Sequence, residues 1–96
     1  MDLETQCYVY MLCEHARSNG FSVSIKYVDG EELESAHVNF RRKRIVVQWS
    51  TVDSLLASLA HEVHHTDQWV SGRLTKPMYR VNMVLESLNR GRTPRT

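Results

Sequence analysis

Ninety-six residues, 42% of them apolar and 24% charged, bound one domain with one hydrophobic core and argue against wholesale disorder. A formal charge of +1 gives no global pull toward nucleic acid. No apolar run approaches the ~20 residues that span a bilayer, and Met1-Asp2-Leu3-Glu4 lacks the basic-then-apolar order of a signal peptide, so the expectation is a cytoplasmic domain over 1–96 with no membrane partner.

Leu3 to Ser18 reads as a helix, with Leu3, Cys7, Tyr10 and Met11 sharing a face and Asn19-Gly20 as its stop. Cys7 and Cys13 stand too far apart on it to bridge and are expected to be two buried thiols in a reducing compartment. The period then changes. Phe21, Val23, Ile25 and Tyr27 alternate with Ser22, Ser24 and Lys26, the pattern of a half-buried strand. Asp29-Gly30 turns the chain, and Glu31 to Ser35 reads as a polar connection. Ala36, Val38 and Phe40 mark a second strand and Ile45 to Trp49 a third. Together these predict a hairpin with the basic block Arg41-Arg42-Lys43-Arg44 at its exposed tip.

Thr51 to Val70 contains neither Gly nor Pro, and Ser50-Thr51-Val52-Asp53 resembles a capping box with Asp in place of Glu. Val52, Leu55, Leu56, Leu59, Val63 and Val70 form an apolar stripe at helical spacing. Ser71-Gly72 ends that helix, Pro77 suits the first turn of another running to about Asn89, and 90–96 reads as a frayed tail. The predicted order is helix, three strands, helix, helix. That is an α+β class.

Within the stripe-bearing helix lies His61-Glu62-Val63-His64-His65. Residues four apart share a helix face, so His61 and His65 can aim both imidazoles at one ion. At ~100° per residue the pair falls roughly opposite the apolar stripe, with Glu62 between the two. HExxH on a helix is the arrangement for zinc-assisted hydrolysis: two ligands, and a general base beside the attacking water. The competing reading is a solvated, histidine-rich helix face, or histidines satisfied in the core by hydrogen bonds. His64 projects to another side and reads as an exposed or supporting histidine rather than a ligand.

Leu55-Leu56-Ala57-Ser58-Leu59-Ala60-His61-Glu62-Val63-His64-His65-Thr66-Asp67-Gln68-Trp69 resembles the active-site helix of small zincin metallopeptidases, above all minimal gluzincin-like domains. The resemblance implies a zincin-like fold: an N-terminal helix, a three-stranded, mainly antiparallel sheet, the active-site helix and a C-terminal helix. It implies Zn2+ bound by His61 and His65, Glu62 as catalytic base, and a peptide or protein as substrate. Ile45 to Trp49 would then be the edge strand that pairs with extended substrate. No histidine follows His65, so the metzincin pattern is incomplete. Glu86, the only carboxylate after Asp67, stands where gluzincins draw a third ligand from the next helix. Its other reading is a solvated pair with Arg90 at i+4. Tyr79, His64 and His37 are the candidates for stabilising an oxyanion. Two further readings stay open: a catalytically degenerate zincin serving as a binding module, and, with less support, a nucleic-acid-binding accessory protein using Arg41 to Arg44 and Arg90, Arg92 and Arg95.

Overall fold

The computed structural model describes residues 1–72. The expected helix from Pro77 to about Asn89, with Tyr79 and Glu86, and the tail over 90–96 lie outside the described residues. The elements run α1 (Leu3–Ser18), β1 (Ser22–Tyr27), a short 3-10 turn (Glu31–Leu33), β2 (Ser35–Asn39), β3 (Arg44–Trp49) and α2 (Val52–Val70). This is an α+β architecture, with two helices packed on a three-stranded mixed sheet.

Asp2 caps α1 by accepting the Thr5 N–H at 2.8 Å. The face that α1 buries differs from the one its sequence suggested. Cys13 and Ala16 are buried, with Val9 and Leu12 packed beside them, whereas Leu3, Tyr10 and Met11 are 76%, 63% and 66% exposed and Cys7 is exposed as well. The run Cys7 to Cys13, with Tyr8, Val9, Tyr10, Met11 and Leu12 inside it, is apolar on every side of the helix. Periodicity therefore could not choose a face, and tertiary contact chose the side ending in small Ala16. Burial also pushes the Cys13 thiol pKa up, the behaviour of an inert structural cysteine.

The sheet order is β1-β3-β2. β3 pairs antiparallel with β2, as the hairpin pattern requires, and parallel with β1. Two sequence-based expectations are thereby corrected. The sheet is mixed rather than mainly antiparallel, and the strand from Ile45 to Trp49 is the central one, not an edge. The cause lies between Tyr27 and Ser35: that connection carries the chain past the place β3 will fill, so β2 lands one strand away from β1. β3 can be central because it is apolar nearly throughout, as a doubly flanked strand tends to be.

Ile45 and Val47, fully buried on β3, stand beside Val38 and Ala36 of β2 and beside Val23 and Ile25 of β1. Leu55, Leu59 and Val63 of α2 complete this core, each apolar side chain contributing roughly 1.5–3 kcal/mol relative to exposure. Ile25 and Tyr27 keep the predicted parity but are 36% and 59% exposed, because the far end of an edge strand runs beyond the helices' cover.

Candidate functional site

The helix that carries His61-Glu62-Val63-His64-His65 is fixed at both ends and along its length. At its N-terminus Thr51, one residue later than the predicted cap, accepts the Ser54 N–H at 3.2 Å. Glu34, from the turn before β2, accepts hydrogen bonds from the Ser50 N–H and the Ser54 hydroxyl. A carboxylate at this end is favoured by the helix dipole as well. The Ser54 hydroxyl first, and then the Ser50 amide, hold the Glu34 pKa below the ordinary carboxylate value.

Toward the C-terminus Trp69 stacks on Phe40 at 4.3 Å between ring centroids, and Phe40 meets Phe21 edge-on at 6.1 Å. This aromatic column ties α2 to the hairpin. Asp67 ties it to α1: the Asn19 amide donates to its carboxylate at 2.8 Å, and His15 Nε2 lies 2.6 Å from the same oxygen. Asn19, and next His15, lower the Asp67 pKa. So braced, the helix can present its polar side in one orientation.

On that side His61 Nε2 and His65 Nε2 converge to 2.9 Å, with the two rings nearly perpendicular. Two nitrogens bound to one tetrahedral zinc at ~2.0–2.1 Å stand roughly 3.3–3.4 Å apart, so the observed spacing lies within about half an ångström of a two-point metal clasp. The other nitrogen of His65, Nδ1, lies 3.0 Å from Gln68 Oε1. An amide oxygen can only accept, so it favours the neutral tautomer with the proton on Nδ1. The Nε2 lone pair then accepts a hydrogen bond from the His61 Nε2–H across the 2.9 Å, and a bound metal would take that proton's place. This is the support a ligating histidine receives from its outer neighbours. The Gln68 contact follows from i,i+3 spacing.

Burial departs from the simple helical wheel. His61 is partly buried, while Glu62 and His65 are only 5% and 6% exposed although the stripe calculation set the histidines opposite the core. The covered arc of α2 is wider than its apolar stripe. His64 is exposed, as its direction predicted.

An open cleft of about 320 Å³ lies between the start of β2 and this face of α2, lined by Glu34, Ser35, Ala36, Ser54, Ser58, His61 and Glu62. Ser54, Ser58 and Glu62 repeat at i,i+4, a polar strip legible in the sequence once α2 is oriented. Glu34 had no such signal, since it reaches the cleft only through the fold. Ser35 and Ala36 begin β2, whose outer side has no strand partner among the described residues. The open edge beside the motif is therefore β2 rather than β3. His37 and His64, offered as oxyanion partners, are exposed and do not line the cleft, and Tyr79 lies outside the described residues. Among the described residues no group of three His, Cys, Asp or Glu side chains is gathered to hold a metal, and Glu86 is not among them.

The exposed turn Arg41 to Arg44 closes the hairpin at the far end of β2 from Glu34, shaped by Asn39 accepting the Arg42 N–H at 3.0 Å and by Lys43 at φ 52°. No helix among the described residues is long and apolar enough to cross a membrane. The chain matches no protein-family profile, and no curated protein or solved structure is significantly similar to it.

Proposed function

We propose that this chain is a zincin-like, zinc-dependent peptidase that cleaves a peptide or protein strand held in the cleft between β2 and α2. The observation that carries the reading is the convergence of His61 and His65 Nε2 at 2.9 Å, with Glu62, itself buried, lining the same cleft as His61. His61 and His65 supply two of the metal's donors, and Glu86, outside the described residues, is proposed as the third. Zinc, when bound, supplies Lewis acidity and lowers the pKa of the attacking water toward about 7. Glu62 accepts a proton from that water at its carboxylate and returns it to the departing amine nitrogen, while the C–N bond breaks and the new C–O bond remains. The open side of β2 offers backbone donors and acceptors to an extended substrate, a duty first assigned to β3 from sequence.

The degenerate, binding-only reading draws on one observation, that only two metal donors are gathered among the described residues. A binding module would function with metal or without it, so hydrolysis dependent on Glu62 is what separates the two readings.

The direct test is metal content. Protein purified without chelator is expected to carry one zinc per chain, and His61→Ala or His65→Ala to lose stoichiometric metal. Full occupancy in either variant, measured by elemental analysis, overturns the clasp.

Gln68→Leu removes the acceptor at His65 Nδ1 and should weaken zinc binding about 10–100-fold, as loss of a histidine's outer partner does. Gln68→Glu, which keeps an acceptor oxygen, should restore most of it. Competition against a chromophoric chelator reads both, and unchanged affinity in Gln68→Leu would remove Gln68 from the site.

A further inference from the structure

The open edge of β2 is bracketed by opposite charges. Glu34 immediately precedes the strand, with Glu31 and Glu32 in the turn before it. Arg41, Arg42 and Arg44, all exposed, follow at its other end. Five residues of strand separate the two ends, about 16 Å at ~3.3 Å per residue. The ion pairs His15–Asp67 and Glu14–Arg17 lie elsewhere, and among the described residues no salt bridge joins either end of this edge.

Glu34 also lines the cleft that contains His61 and Glu62, and among the described residues no Lys or Arg lines it. Its two shortest side-chain bonds, from the Ser50 N–H and the Ser54 hydroxyl, fall on Oε2. A carboxylate has lone pairs on two oxygens, so Oε1 keeps acceptor capacity for a ligand. Ser54, to which Glu34 bonds, precedes His61 by seven residues, about 10 Å along the helix axis at 1.5 Å per residue. The same 10 Å is about three residues of an extended peptide.

We propose that the open edge of β2 takes an extended peptide antiparallel to the strand, with a lysine or arginine side chain at Glu34 and an acidic one toward Arg41–Arg44. The proposal rests on the peptidase reading and names the substrate class of its cleft. Antiparallel pairing is the more stable ladder per residue, and it places the peptide's C-terminal half beside Glu34. The cation therefore lies C-terminal to the acid, about three residues from the cleaved bond. Charge complementarity of this kind sets register and partner choice, and ladder hydrogen bonds supply affinity that is indifferent to sequence.

The test uses the full chain carrying Glu62→Gln, loaded with zinc, so that peptides bind without being cut. Two fluorescent peptides of about ten residues are compared, one with glutamate near its N-terminus and lysine near its C-terminus, the other with the two exchanged. Composition and net charge are identical, so only charge order is read. The acid-then-base peptide is expected to bind about tenfold more tightly by anisotropy at low salt, with the gap shrinking as salt rises. Adding Glu34→Gln, which preserves the acceptors for Ser50 and Ser54, should reduce the gap to about threefold or less. If that variant melts early, Arg41→Gln with Arg42→Gln gives the same readout from the other end of the strand. Equal affinity, reversed preference, or no binding of either peptide overturns the proposal. The peptidase reading is judged separately, by zinc content of the histidine variants and by cleavage of an unstructured protein by wild type.

Discussion

Replacing Glu62 by Gln should leave a folded, zinc-loaded protein that no longer hydrolyses its substrate. Glu62 is 5% exposed and stands on the cleft beside His61, so a change of shape there would be felt in packing. Gln matches its volume and offers one carbonyl oxygen, but that oxygen is far too weak a base to accept a proton at neutral pH. The loss falls on the proton transfer alone. A positioned general base contributes about 10²–10⁴-fold, and the rate should fall by that much with little change in KM. Zinc content and thermal melting of the two proteins, measured alongside cleavage of a common substrate, separate chemistry from assembly. Equal rates with equal zinc would take Glu62 out of the base role. Equal zinc with no cleavage by either protein would favour the binding-only reading.

The features legible in sequence were those set within one element. HExxH on a helix, the hairpin closed by the basic block and the Asn19-Gly20 stop follow from local spacing and are present. Of the six-residue stripe the core takes Leu55, Leu59 and Val63, while Val52 and Leu56 are partly buried and Val70 is exposed. What depended on long-range assembly was not legible. Nothing in Phe21 to Tyr27 states that the strand will run parallel to β3, because the alternation is the same on either side of a sheet. The apolar circumference of α1 hid its buried face. The wheel placed His65 away from the stripe, yet the covered arc of α2 includes it. Glu34 could not be seen as part of the cleft because its partners, Ser50 and Ser54, are 16 and 20 residues distant and meet it only when β2 aligns with the start of α2.

Val46→Pro should unfold the sheet rather than merely weaken substrate binding, and the reason is the position of β3. Val46 stands between Ser24 of β1 and His37 of β2 in the register of the two ladders. On a central strand, the N–H of every residue faces one neighbour or the other, so proline at 46 removes a ladder bond whichever way that group points. The abandoned carbonyl on the neighbouring strand costs about 1–3 kcal/mol if left without a partner, and the ring's own bulk against the adjoining strand adds to this. Its flanking residues, Ile45 and Val47, are fully buried core side chains, so a local displacement of the strand is transmitted to the packing of α2. A total of several kcal/mol is a large part of the ~5–15 kcal/mol that holds a domain together. For a domain of this size each kcal/mol lowers the melting temperature by about 4–8 °C. The expected result, read by circular dichroism, is a melt lowered by 15 °C or more (roughly, on that scale) or no cooperative transition at all, with zinc lost in parallel. Val46→Thr, which keeps β-branching and the N–H, should fold and serve as the matched control. A Val46→Pro protein that melts like wild type would show β3 to be an edge after all, and would move the peptide-binding strand from β2 back to β3.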